Sequence, residues 1–312
     1  MTVVVTDAET RHYYGLVAAE LKSLAPPAPP SLWHYTSGTV LIAILQSCAI
    51  WCTHVSCLND AAEIHHAASL LTQAVRERWA KTTSRTPEES CLYDALPDRL
   101  ADDVRLSRWF VTCFTTKNDD LSQWRAYSGG EGGYAIGFDT AKMLDAFLNS
   151  NSVIAPVVYD QSRQMQTCRQ IVERAFDAYR QGLTDRPGVA ASEWATVFVS
   201  EWFKYADMLL PMLKNAAFSD ESEWRIIRSL QPTDVGQMIY QQKSSMMTRH
   251  LPMRPKLRRP AAVKLLPISE IVVGPSRHKA ISTIGVNDLL RTLGYPDGSV
   301  EVSLSAIPFQ LP

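Results

Sequence analysis

The chain has 312 residues, 46% of them hydrophobic, with eight tryptophans and a formal net charge of −1. That composition belongs to a folded globular protein and excludes a disordered or low-complexity chain. The near-neutral balance gives no bulk electrostatic reason to expect a nucleic-acid or membrane surface. No apolar run reaches the length of a bilayer span, and Met1–Asp7 lacks the basic and apolar regions of an export signal. The expected location is therefore cytoplasmic, with no membrane partner. Cys48, Cys52, Cys57, Cys91, Cys113 and Cys168 are expected as reduced thiols.

Residues 6–24 have helical spacing, and Ala25-Pro26-Pro27-Ala28-Pro29-Pro30 after them is an extended spacer. This makes 1–30 a peripheral helix and linker, and 31–312 the main domain. Ser31–Thr36 reads as a strand, with Ser37 or Thr39 capping a helix through Leu45. Ala49–Val55 is a second strand. Asp60 with Glu63 resembles a capping box ahead of a helix bearing Ile64, Ala68, Leu71, Val75 and Trp79. Residues 81–102 are polar and loop-like at first, then helical.

Trp109–Thr115 is the clearest buried-strand run. Lys117–Asp120 reads as a turn, Leu121–Ser128 as two helical turns stopped by Gly129 and Gly130, and Tyr134–Phe138 as a strand. Val153–Tyr159 is a further strand. Residues 163–214 are helical, with Ile171, Ala175, Phe176 and Tyr179 on one stripe and Trp194, Phe198, Trp202, Tyr205 and Leu209 on another. An irregular stretch begins at 231, and a basic, proline-broken segment runs from Arg249 to Lys264. The C-terminal part offers a strand at Glu270–Val273, a helix at about 279–293 and a strand at Glu301–Leu304. This order lacks βαβ alternation and predicts an α+β fold with largely antiparallel pairing.

Several groups of residues carry chemical potential. In Ser219–Arg228 the alternation of a strand would put Trp224 and Ile226 on one face and Glu221, Glu223 and Arg225 on the other. In a cleft, that row could stabilise a developing positive charge; on a wet surface it is a solvated strand face. In Leu121–Ser128, Trp124 and Tyr127 offer aromatic faces for a flat or cationic ring, or else simply cover the sheet. His34 could serve a ligand hydroxyl or be a satisfied structural histidine. Gly129–Gly133 is followed by a strand, so it reads as a turn and not a phosphate cradle. Cys48, Cys52, His54 and Cys57 are spaced too irregularly for a zinc site, and no metal is expected. The Arg249–Lys264 cluster could attract the phosphates of a cofactor or nucleic acid, or be a solvated loop, which Pro252, Pro255 and Pro260 favour.

Taken in order, these pieces resemble a bacterial family of domains of unknown function, numbered 2971. The resemblance rests on Leu32-Trp33-His34-Tyr35-Thr36, Leu58–Glu63, Cys113-Phe114-Thr115, Leu121–Tyr127, Gly133–Asp139, Lys214, Glu221–Arg225, Glu270–Pro275 and Ser305–Pro308. The pattern in turn resembles the ADP-ribosyltransferase superfamily of the His-Tyr-Glu type. The resemblance implies split, largely antiparallel sheets with a helical insertion at about 160–214, and NAD as a substrate. It implies that His34, with Tyr35 and Thr36, forms the start of the NAD site. Ser122 and Tyr127, with Trp124 as an alternative stacking ring, would form its second element. Glu223 would be the catalytic carboxylate, with Glu221 as its competitor. The implied reaction is transfer of ADP-ribose to a macromolecular acceptor, protein or nucleic acid, with release of nicotinamide. An NAD glycohydrolase, or a non-catalytic nucleotide- or RNA-binding module, would use the same residues.

Overall fold

The structure, a computed structural model, describes residues 3–23, 26–58, 61–100, 108–128, 132–148, 152–243, 246–256 and 265–308. In chain order the elements are α1 (Asp7–Ser23), β1 (Ser31–Ser37), α2 (Gly38–Ser47), β2 (Ile50–His54), α3 (Ala61–Lys81), α4 (Pro87–Leu100), β3 (Trp109–Thr115) and α5 (Leu121–Tyr127). There follow β4 (Gly133–Asp139), α6 (Thr140–Phe147), β5 (Ser152–Pro156), α7 (Gln161–Thr184), α8 (Ala191–Ala206) and β6 (Glu223–Ser229). The chain continues with β7 (Ile239–Lys243), β8 (Met246–Met253), β9 (Ile268–Val273), α9 (Lys279–Thr292) and β10 (Glu301–Leu304). Asp60, Gly129, Gly130, Glu131, Arg258, Arg259 and Lys264 lie outside the described residues, so the capping box, most of the glycine turn and the end of the basic cluster are not described.

The fold is mixed α+β, as the element order predicts. It divides into two compact units. The first, residues 1–25, 54–109 and 155–219, is helical. α3 packs on α7 and α4 on α8, and α1 lies against both α7 and α8. Tyr13 of α1 meets Phe198 and Trp202 edge-on at 5.6 and 5.5 Å, and Phe198 and Trp202 stack at 5.8 Å. The same unit buries two charges together: Lys214 Nζ lies 3.8 Å from a Glu63 carboxylate oxygen. Gln164 donates to the carbonyls of Val158 and Lys214 at 2.6 and 2.7 Å.

The second unit, residues 26–53, 110–154 and 220–312, is built on the sheet. Along the sheet the strands run β10-β9-β4-β1-β3-β2-β8-β7, with β6 joined to β3 and to β5, so the sheet forks at β3. β1 pairs antiparallel with β4 over its whole length, from Ser31↔Asp139 to Ser37↔Gly133, but meets β3 at a single registered pair, Trp33↔Thr115. The β4–β9, β2–β8 and β7–β8 ladders are also antiparallel, and the edge pair β9–β10 is parallel.

Local chemistry sets the helix starts. Ser37 caps α2, its hydroxyl accepting the Val40 amide, and Asp120 caps α5 by accepting the amides of Ser122 and Gln123. Asp139 caps α6, which the sequence pattern does not reveal: eight residues following directly on a strand give too short a window for periodicity to register.

The stretch from 231 is more ordered than its polarity predicts. β7 and β8 lie in it and pair antiparallel, from Ile239↔His250 to Lys243↔Met246, with β7 at the sheet edge. Arg249 and His250 therefore sit on a strand and not in a solvated loop. His250 is buried between the hydroxyls of Thr53 and Thr248, at 3.1 and 2.8 Å. Pro252 argues against a strand from sequence alone, but its carbonyl still accepts from Arg228 at 3.4 Å. The Glu-rich segment also begins later than expected. Residues 216–221 form a 3-10 helix, Ser222 takes a left-handed backbone (φ 46°), and β6 starts only at Glu223.

Candidate functional site

All of the sequence-predicted site residues belong to the sheet-bearing unit. Strand alternation on β1 sends Trp33 and Tyr35 to one face, and His34 and Thr36 to the other. On the first face Trp33, Tyr35, Trp124, Ala135 and Val272 form one buried cluster, with Ile307 packed against it. Trp124 is fully buried; its ring meets Tyr35 edge-on at 4.5 Å and its Nε1–H donates to Asp119 at 2.7 Å. Asp119 also accepts from the Ser305 hydroxyl and the Ala306 amide, at 2.7 and 2.8 Å. Trp124 thus anchors α5 to the sheet and to the C-terminal segment.

Tyr35 holds the turn that leads into α5. Its hydroxyl donates to the Lys117 carbonyl at 3.1 Å and accepts the Asp120 amide at 3.0 Å. Ser122 is exposed, and its amide and hydroxyl both bond to the capping carboxylate of Asp120. Thr36 is buried. Tyr35, Ser122 and Trp124 therefore all help build and seat α5.

Tyr127, at the end of α5, is the aromatic residue of that helix left exposed, at 36%. Burial of its hydroxyl end, with the acidic groups of Glu221, Cys113 and Glu223, holds its pKa above the ordinary tyrosine range, and Arg225 pulls the other way. Four charge-bearing side chains from β3, the 3-10 turn and β6 therefore lie within electrostatic reach of one hydroxyl.

Glu223 opens β6, a strand with both faces buried from Glu223 to Ile227. Residues two apart on a strand share a face. Arg225 accordingly grips Glu223 with both arms of its fork, Nε to Oε1 and Nη2 to Oε2, each at 2.8 Å. Arg225 is 2% exposed and Glu223 7%, so this row of charges is not a solvated strand face. Glu221 is separated from it by the left-handed Ser222 and stands part-buried, its carbonyl accepting the Thr115 hydroxyl at 2.7 Å. That bond ties the start of β6 to the end of β3. Nothing in the spacing of the sequence singles out Thr115; Cys113-Phe114-Thr115 stands out only as part of a longer pattern.

His34 contacts β3 where β1 and β3 part. Its Nδ1 lies 2.9 Å from the Cys113 carbonyl and its ring 5.9 Å from Phe114. A carbonyl only accepts, so Nδ1 carries the hydrogen. Burial lowers the His34 pKa, and the Cys113 bond opposes the shift. The neutral ring then bears its lone pair on Nε2, which can accept a hydroxyl. His34 lies on the opposite face of β1 from Tyr35 and Trp124. Cys113 lies near both His34 and Tyr127: its carbonyl meets the His34 ring, and its side chain is within electrostatic reach of the Tyr127 hydroxyl.

Among the described residues no three His, Cys, Asp or Glu side chains gather as metal ligands would. Cys52 instead lies 3.2 Å from the Thr112 hydroxyl, His54 accepts the Ser56 amide at 3.2 Å, and none of the six cysteines, all among the described residues, is joined in a disulfide. Among the described residues no helix is long and apolar enough to cross a membrane. Residues 123–226 match the model of a family described as a protein of unknown function (DUF2971). That stretch runs from α5 into β6 and contains Trp124, Tyr127, Glu221, Glu223 and Arg225, but not His34. Neither the curated proteins nor the solved structures provide a match to the chain.

Proposed function

We propose that the protein has an ADP-ribosyltransferase-like core that binds NAD and transfers ADP-ribose to a macromolecular acceptor. The observation that carries the reading is the buried Glu223 carboxylate, gripped by Arg225 and within electrostatic reach of the exposed Tyr127. The order of His34, Tyr127 and Glu223 along the chain supports it, as does the fork of the sheet at β3.

The reaction breaks the bond between the ribose C1′ and the nicotinamide nitrogen. The electron pair goes to nicotinamide, which leaves neutral, and a cation develops on the ribose. Glu223 stabilises that cation, as a carboxylate does in glycoside cleavage. Tyr127 stacks on the nicotinamide ring, whose positive charge favours an aromatic face. His34 accepts a ribose hydroxyl through Nε2. An acceptor nucleophile then bonds to C1′ and loses its proton.

Incubation with NAD labelled in both halves tests the reading. Wild-type protein releases nicotinamide and Glu223→Gln does not, while a mass shift on a protein or nucleic acid identifies transfer. Release without a mass shift on any macromolecule would make water the acceptor and the protein a glycohydrolase. Folded protein that neither binds nor cleaves NAD would overturn the proposal. The Glu223–Arg225 pair also favours a second reading, a non-catalytic nucleotide-binding module in which the pair is structural. NAD binding retained by Glu223→Gln, with no turnover by either form, would select it.

A further inference from the structure

We propose that Arg225 is a positioning residue for Glu223, an inference that rests on the NAD-cleaving reading. Burying a carboxylate in a strand enclosed on both faces is strongly unfavourable unless a cation or several donors meet it. Arg225 meets it from two residues along the same strand, with two bonds of 2.8 Å, one to each oxygen. A single contact would leave the carboxylate free to rotate about its last bond. The fork fixes its plane, which a lysine ammonium cannot do.

The pairing does not itself bar Glu223 from substrate, because each carboxylate oxygen can accept twice. The backbone reinforces the placement. Ser222 turns through φ 46° just before β6, and the Thr115 hydroxyl holds the preceding Glu221 carbonyl at 2.7 Å. Glu223 is therefore held from both sides in sequence: by a pinned turn before it and by a guanidinium after it. Stabilising a ribose cation depends on a carboxylate already aimed at C1′ before the bond breaks. The cost of losing Arg225 then falls on the chemical step and not on NAD affinity.

The test compares wild type, Arg225→Lys and Arg225→Met, with nicotinamide release normalised to folded protein and NAD affinity measured separately by tryptophan fluorescence. Arg225→Met is expected to lose about 100-fold in kcat with KM and NAD affinity within about twofold, and Arg225→Lys to recover about tenfold of that loss. If Arg225→Met does not fold, Arg225→Lys decides: a fall of about tenfold in kcat at unchanged KM supports positioning. Wild-type kcat per folded molecule in either variant, with only thermal stability lowered, would leave Arg225 a structural partner and overturn the inference. Absence of NAD cleavage by the wild type would instead overturn the reading on which it rests.

Discussion

Tyr35→Phe separates a structural role for Tyr35 from a ligand-binding one. The substitution keeps the ring, and with it the edge-on contact to Trp124 at 4.5 Å, and removes only the hydroxyl. Two hydrogen bonds go with it, to the Lys117 carbonyl at 3.1 Å and from the Asp120 amide at 3.0 Å. Each is worth about 1 kcal/mol net, and part-buried backbone groups left without a partner add to the loss, so the expected cost is about 2–3 kcal/mol. That is a large share of the ~5–15 kcal/mol that holds a typical domain together. Guanidinium unfolding should show a lower midpoint with an unchanged slope, because the surface exposed on unfolding is the same. NAD affinity should stay within about twofold, since the hydroxyl is committed to the turn. A loss of affinity with stability unchanged would refute the argument and make the hydroxyl a ligand contact.

Ser222→Val should cost about 1–2 kcal/mol, because a β-branched side chain resists the left-handed backbone at φ 46°, whereas Ser222→Gly should cost nothing measurable; thermal unfolding compares them. Gly274→Ala should destabilise by about 2 kcal/mol or more, since its Cβ would meet the Trp124 ring at 2.8 Å and the Gly133 carbonyl at 2.9 Å, and neither the buried ring nor the backbone can give way. His34 titrates below its ordinary value of 6.5 in the folded chain, so the unfolded chain takes up that proton first as pH falls. Stability from this group is full above 6.5 and declines as pH drops from there towards the lowered folded value. His34→Asn, whose amide can still donate to the Cys113 carbonyl, should flatten that part of the stability–pH curve. Parallel curves for the two proteins in urea titrations between pH 7.5 and 5.5 would contradict the assignment.

Much of the fold was legible because local signals and burial agree. Trp109–Thr115 is a strand from its own apolar run, and the α7 and α8 stripes are helical from their 3.6-residue period. The capping aspartates fix helix starts within a few residues of where they stand in sequence. α6 was not legible, being too short to show a period. Nor was the β7–β8 pair, whose edge strand is polar and whose second strand carries proline and buries a histidine held by two threonines.

For the candidate site, the sequence by itself determined the residue types and their order: an aromatic helix between a His-bearing strand and a Glu-rich strand. Only the tertiary structure decided their roles. Trp124 and Tyr127 are three residues apart with similar rings, yet the sheet buries one and leaves the other exposed. Glu221 and Glu223 are two apart, yet a left-handed residue between them leaves one in a part-buried turn and puts the other in the grip of Arg225. The reason is physical: burial, and the partner facing a charge, are set by strands far away in sequence, and a local pattern carries no record of them.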